Sequence, residues 1–179
     1  MKFHPTSIEY DATDLEILDA LQHNCKQPLA AIGQQVGLSA PSVLERIHKL
    51  EEAGVITGYV ALLDARKLGK DISAFIGVAT ERARDIAHIE REMVALGDVM
   101  ECHHVTGAYT LILKVKTRDT ESLEDLLERM RACEGVARTE TMVVLSTQTE
   151  RLRVDLARSA EAPQPPRRAG GARPRRAAP

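Results

Sequence analysis

Residues 39–59 read Ser-Ala-Pro-Ser-Val-Leu-Glu-Arg-Ile-His-Lys-Leu-Glu-Glu-Ala-Gly-Val-Ile-Thr-Gly-Tyr, and this stretch decides the architecture of the amino-terminal half. Ser39 is a helix cap whose hydroxyl can accept from the free amides of the first turn. Pro41 is tolerated just inside because those amides have no intrahelical partner. Val43, Ile47 and Leu50 recur at i, i+4 and i+7 and predict an inward stripe, whereas Ser42, Arg46 and Lys49 recur at the same spacing on another face. Short hydroxyl and cationic side chains on a free stripe suit phosphate oxygens and the acceptor-rich edge of guanine. Gly54 ends the helix, and Thr57-Gly58, between Val55-Ile56 and residues 59–63, predicts a two-stranded wing.

Arg46 and Lys49 also fit an ordinary solvated helix face, and upstream residues weigh between the two. Thr13-Asp14-Leu15-Glu16 has capping-box spacing and opens a helix carrying Ile17, Leu18 and Leu21. A short helix over 28–36, with Leu29, Ile32 and Val36 inward, is followed by a Gly37-Leu38 turn. Three short helices with this turn and a hairpin spell a winged helix-turn-helix, with Ser39, Ser42, Arg46, Lys49 and Thr57 as candidate DNA contacts.

The 179 residues are 44% apolar and 3% aromatic without Trp, enough for aliphatic cores in one or two domains. No run of eighteen apolar residues occurs, so a soluble, cytoplasmic protein without membrane partners is expected. Cys25, Cys102 and Cys133 are widely spaced and form no Cys-x-x-Cys pair, which argues for reduced thiols. Residues 158–179 hold six Arg and one Glu, which leaves −7 on the rest of a chain of net charge −2. Attraction to DNA must therefore come from a local patch. The tail is rich in Pro, Gly and Arg, so disorder is expected; it fits sequence-independent phosphate contact and also a mere solubilising extension.

Beyond a polar connector over 63–71, the pattern becomes strand 72–80, helix 87–96, strands 99–106 and 109–117 around Gly107-Ala108, helix 120–131 and strand 136–147. This is the β-α-β-β-α-β order of a ferredoxin-like domain. The fold class is α+β: a winged helix-turn-helix over 1–62, the connector, a ferredoxin-like domain over 72–157 and the tail over 158–179. Two helices on one face of the sheet leave the other bare. Met142, Val144, Leu111 and Leu113 are candidates for that bare face, which predicts a homodimer by sheet-to-sheet packing. Its two recognition helices would meet half-sites about 34 Å apart.

The chain resembles the leucine-responsive/asparagine regulator (Lrp/AsnC) family over about residues 10–155. The resemblance lies in Asp14-Leu15-Glu16-Ile17-Leu18, Val36-Gly37-Leu38-Ser39, Leu44-Glu45-Arg46-Ile47, Leu50-Glu51, Gly54-Val55-Ile56-Thr57-Gly58-Tyr59, Glu101-Cys102-His103, Val105-Thr106-Gly107-Ala108-Tyr109 and Thr139-Glu140-Thr141. It implies a transcriptional regulator of double-stranded DNA that senses an amino acid and assembles dimers into octamers or related rings. It further implies an effector held by the turn Thr106, Gly107, Ala108 and Tyr109, with Thr110, Thr139 and Thr141 beside it. Gly107 lets the backbone approach a charged ligand group, and threonine hydroxyls serve as donor or acceptor. Many relatives carry Asp where this chain has Thr110, so a response to leucine in particular does not carry over.

Glu101-Cys102-His103-His104 looks like a metal cluster. On a strand, however, only Cys102 with His104, or Glu101 with His103, share a face, and two ligands do not close a zinc site. No catalytic constellation, phosphate loop or cofactor motif stands out, so no enzyme, metal or cofactor is expected. The favoured function is a sequence-specific transcriptional regulator responsive to an amino acid or related molecule. The alternative is a nucleoid-associated architectural protein with little sequence preference, and a stand-alone metabolite sensor or enzyme is a weaker third.

Overall fold

The computed structural model describes residues 10–156, and the expectations placed on 158–179 lie outside them. The described chain forms two compact units, 10–60 with 151–156 and 61–150.

The first unit is built on three helices, α1 (Ala12–His23), α2 (Leu29–Val36) and α3 (Ala40–Glu52). Ile17, Ala20, Ile32, Val43 and Ile47 form its core, with Leu21, Leu29, Val36, Leu38 and Ile56 packed around them. The inward stripe of α3 is the one its spacing predicts, since Val43, Ile47 and Leu50 are all buried. Ser39 caps α3 by accepting from the Ser42 amide at 3.3 Å. Gly33 is required for close approach: a Cβ there would lie 2.4 Å from the Leu38 carbonyl oxygen, in the turn between α2 and α3.

Two features of this unit differ from the sequence reading. The capping box of α1 sits upstream of Thr13: Asp11 accepts from the Asp14 amide at 2.8 Å, and Asp14 accepts from the Asp11 amide at 3.1 Å. Asp serves as well as Ser or Thr as a cap, and its short carboxylate at the third helical position returns the bond. The predicted wing is not formed, because residues 57–64 belong to no strand. A tight type I′ hairpin needs positive φ at both central residues, which the β-branched Thr57 resists, and among the described residues no non-glycine residue adopts it. Val55 and Ile56 instead donate to the Leu50 carbonyl at 2.9 and 3.2 Å. The Tyr59 hydroxyl donates to Glu51 at 2.9 Å. Burial, chiefly, and this carboxylate push the Tyr59 phenol up to about 12.

Asp14 ties the helices together. Its carboxylate is buried, and Oδ1 accepts from Arg46 Nη1 at 2.7 Å, while Asp11 Oδ2 accepts from the same nitrogen at 2.9 Å. One guanidinium thus joins the start of α1 to the middle of α3.

The second unit is a four-stranded antiparallel sheet of order β2-β3-β1-β4, from β1 (Ile72–Thr80), β2 (Val99–His104), β3 (Leu111–Thr117) and β4 (Val136–Val143). Helices α4 (Ile86–Ala95) and α5 (Thr120–Ala132) supply Ile89, Met93, Leu123, Leu126 and Met130 to its core. Asp119 caps α5 by accepting from the Ser122 amide at 2.8 Å.

Strand register corrects the expected bare face. Leu111 pairs with Val78 and Leu113 with Ile76, and all four are fully buried in the helix-covered core. The opposite face carries Phe75 paired with Met142, and Ile112 paired with Gly77. A one-residue change of parity exchanges the faces, and the continuous apolar run Leu111-Ile112-Leu113 does not mark it. Val144 lies beyond β4, where its amide donates to the Ser73 carbonyl at 2.8 Å.

The connection between β2 and β3 is longer than the two-residue hairpin expected: the strands stop at His104 and Leu111, and Val105 N–H donates to the Thr110 carbonyl at 3.0 Å. Residues 151–156, read as the end of the second domain, cluster with the first. Gln22 of α1 holds them, donating to the Val154 carbonyl at 3.1 Å and accepting its amide at 2.7 Å.

Replacing Asp14 with Ala removes an acceptor from both the α1 cap and Arg46; a loss of roughly 1–3 kcal/mol is expected, read as a lower urea midpoint. Asp11 titrates below the ordinary carboxylate value, chiefly because its carboxylate accepts the Asp14 amide and then the Arg46 guanidinium. A depressed folded-state pKa contributes stability above the ordinary carboxylate range that is lost as pH falls through the folded value. Acid denaturation followed by helical circular dichroism should therefore be shallower in Asp11→Asn than in the parent, and parallel curves would contradict this role.

Candidate functional site

The outer surface of α3 is set by what its partners leave free. Ser42 is half-buried, its hydroxyl within 2.8 Å of the Ser39 hydroxyl. Arg46 is occupied by the two aspartates of α1, which also raise its pKa through their hydrogen bonds. Both bonds use Nη1, so the guanidinium helps to position α3 while the side chain keeps 31% of its exposure. Lys49 and Thr57 are exposed. Pro41, Leu44, Glu45 and His48 are exposed too, and their i, i+3, i+4, i+7 spacing makes a second free stripe. Glu45 can accept from the cytosine amino group and His48 can meet purine acceptors, yet the sequence reading favoured cations and passed over both. The available signal was the pair Asp11 and Asp14, which demand a cation from elsewhere in the unit.

In the second unit the residues attributed to effector binding fall into four groups. Thr106, Gly107 and Ala108 are exposed in the turn, where Gly107 has φ 122°. Tyr109 lays its ring against Gly77, so closely that a Cβ at 77 would lie 2.7 Å from the ring carbons. Its hydroxyl donates to Glu140, which raises the phenol pKa, and the Arg138 guanidinium lies 5.6 Å from the ring centroid. Thr110 is turned toward β1: its hydroxyl is 3.0 Å from the Thr80 hydroxyl and accepts the Thr80 amide at 3.3 Å. Thr139 and Thr141 pair with Val78 and Ile76, and therefore sit on the helix-covered side, where Arg131 Nε donates to the Thr139 hydroxyl at 3.0 Å. The sheet separates Tyr109 from the two threonines. It also adds Gly77, Arg138 and Glu140, which the sequence reading did not name and which only strand pairing brings to the tyrosine.

Toward the other end of the bare face, Lys114 joins Glu101 at 3.0 Å and also Glu150, while Lys116 lies 3.7 Å from Glu150. His103 Nε2 is 3.1 Å from Glu101. The hydrogen bonds from His103 and then Lys114 hold Glu101 below its ordinary pKa, and Lys114 does the same for Glu150. Among the described residues no three His, Cys, Asp or Glu side chains converge on a metal position, and no helix is long and apolar enough to cross a membrane.

Comparison with known proteins agrees with this two-part layout. Residues 11–51 match the AsnC-type helix-turn-helix domain, and residues 73–154 match the Lrp/AsnC ligand binding domain. The HTH-type transcriptional regulator YezC of Bacillus subtilis is 39% identical over 137 residues, covering 76% of this chain and 94% of that protein. The structure of AsnC from Escherichia coli is similar at a TM-score of 0.76 and 30% identity, covering 80% of this chain and 97% of that one. A transcriptional regulator of Neisseria meningitidis in complex with L-Met is similar at a TM-score of 0.78 and 26% identity, covering 83% and 97%. These relatives are transcriptional regulators and not enzymes. The chain belongs to the Lrp/AsnC family of DNA-binding, ligand-responsive transcriptional regulators.

Proposed function

We propose that this regulator senses an amino acid or a closely related molecule at the β2–β3 turn and works as a homodimer closed through the bare face of its sheet, with dimers joining into an octamer or a related ring. The observation that carries the sensing proposal is the exposed turn at Thr106, Gly107 and Ala108, followed by Tyr109, whose ring and hydroxyl meet Arg138 and Glu140. A cation and an anion there match the carboxylate and ammonium of a zwitterion. The N. meningitidis relative in complex with L-Met supports the ligand class. Phe75 and Met142, 38% and 44% exposed, lie paired at the centre of the bare face and support the dimer. The chain acts in the cytoplasm and needs no cofactor beyond its effector.

On DNA, Ser39, Ser42, Lys49 and Thr57 make the contacts, joined by Glu45 and His48, while Arg46 orients α3 through Asp14. Effector binding shifts DNA affinity through differential binding to two states, a coupling of about 1–3 kcal/mol, or roughly 5- to 150-fold.

The primary test is fluorescence anisotropy on the duplex upstream of the chain's own gene against a scrambled duplex, at physiological salt, with and without the twenty amino acids. A preference of about a thousandfold that moves with the amino-acid pool is expected. Equal binding to both duplexes would favour the architectural alternative. Lys49→Ala should weaken both duplexes alike and lower the salt slope by about one, with an unchanged melting temperature. Arg46→Ala should lower melting temperature and affinity together. Phe75→Asp places a charge at the centre of the bare face. Light scattering should then report loss of the dimer and of any ring built from it, as a mass well below the parent's, and a mass equal to the parent's would refute the sheet-to-sheet dimer.

A further inference from the structure

Residues 61–150 carry twelve Lys and Arg against sixteen Asp and Glu, yet three of the cations meet in one cavity of about 420 Å³, lined by residues of this unit alone. Ser73 of β1 and Lys116 of β3, which are register partners, border it from the bare face of the sheet. Arg66 and Lys70 come from the chain before β1, and Ser146, Thr147 and Glu150 from the chain after β4. Lys116 lies five residues beyond Leu111, so about 17 Å of strand separates this cavity from the turn at Thr106, Gly107 and Ala108.

The acids at the cavity are already engaged. Asp64 accepts from the Arg66 and Lys67 amides at 3.1 and 3.5 Å, and Glu150 accepts from Lys114. Lys70 is likewise closed off by Asp98. Two cations are left over. The Lys116 side chain is only 22% exposed, and its one ion pair among the described residues, with Glu150 at 3.7 Å, is too long for a hydrogen bond. The Arg66 side chain has neither an ion pair nor a hydrogen bond among the described residues, and the hydroxyls of Ser73, Ser146 and Thr147 have no partner there either. An ammonium and a guanidinium together with three hydroxyls offer more donors than the two oxygens of a carboxylate can use. A phosphoryl group, with three terminal oxygens and close to two negative charges, suits them better. The volume exceeds what a phosphate ion fills and is that of a small-molecule site, and Leu63 and Leu145 on its wall can meet an organic body.

We propose that this cavity is a second ligand site of the sheet unit and takes a small phosphorylated metabolite. Lys116 and Arg66 hold the phosphoryl oxygens, the hydroxyls of Ser73, Ser146 and Thr147 share them, and the organic part lies against Leu63 and Leu145.

Calorimetric titration of the full-length protein in a phosphate-free buffer tests it, with ribose 5-phosphate, AMP, adenosine, inorganic phosphate and succinate as probes. Ribose 5-phosphate and AMP should bind, adenosine should not, and inorganic phosphate and succinate should each bind more weakly than the two esters. Losing one charged hydrogen-bond partner costs about tenfold in affinity or more, so Lys116→Gln and Arg66→Gln should each weaken ribose 5-phosphate by at least that factor, while Lys116→Arg keeps most of it. Arg66 is exposed, so Arg66→Gln should melt with the parent and decides the matter if Lys116→Gln fails to fold. A parent that binds neither ester overturns the site, as does one whose affinity for them survives in Arg66→Gln. Inorganic phosphate or succinate binding as tightly as the esters overturns the assignment of a phosphorylated metabolite.

Discussion

The geometry of the DNA-binding unit depends on one buried carboxylate. Asp14 returns the capping bond to the Asp11 amide and accepts from Arg46, so the first turn of α1 and the middle of α3 are held by the same side chain. A buried charge without a partner is costly, and this cost makes the pairing specific: no other Lys or Arg joins Asp14 among the described residues. The ion pair thereby orients the stripe of Pro41, Leu44, Glu45 and His48 outward. It also engages Nη1 of the one arginine of α3, which spacing had grouped with Ser42 and Lys49 as candidates for DNA contact.

The sheet unit works by a comparable separation. Ala74, Ile76, Val78, Leu111, Leu113 and Val115 face the helices and are fully buried, while Phe75, Ile112 and Met142 line the other side together with an ionic network around Lys114. Gly77 is where the two kinds of surface meet the turn. Its missing side chain admits the Tyr109 ring, which takes Tyr109 out of the β3 ladder and brings it to Arg138 and Glu140. The longer turn therefore goes with packing across β1 as well as with the positive φ of Gly107 within it.

Much of the fold was legible because it rests on local signals. The 3.6-residue spacing of Val43, Ile47 and Leu50, the Ser39 cap with Pro41 inside it, and the order of strand and helix patterns all report short-range preferences that tertiary packing reinforces. The site was legible less evenly. Thr139 and Thr141 were linked to the turn by resemblance, yet strand parity puts them across the sheet from Tyr109. Gly77, Arg138 and Glu140 were missed because their link to Tyr109 exists only once β1 and β4 are paired.

The sequence by itself determined the three-helix unit, the β-α-β-β-α-β order, the buried stripe of α3 and the family. Each follows from periodicity, capping and motifs contained in a few consecutive residues. Only the tertiary structure decided that residues 57–64 form no wing, that Leu111 and Leu113 lie under the helices, that Arg46 serves Asp14, and that residues 151–156 return to α1 through Gln22. These are choices between partners distant in sequence: a strand's parity, a cation's carboxylate and a backbone's hydrogen-bond acceptor are all open in the unfolded chain. They are settled when burial makes every unpaired polar group expensive.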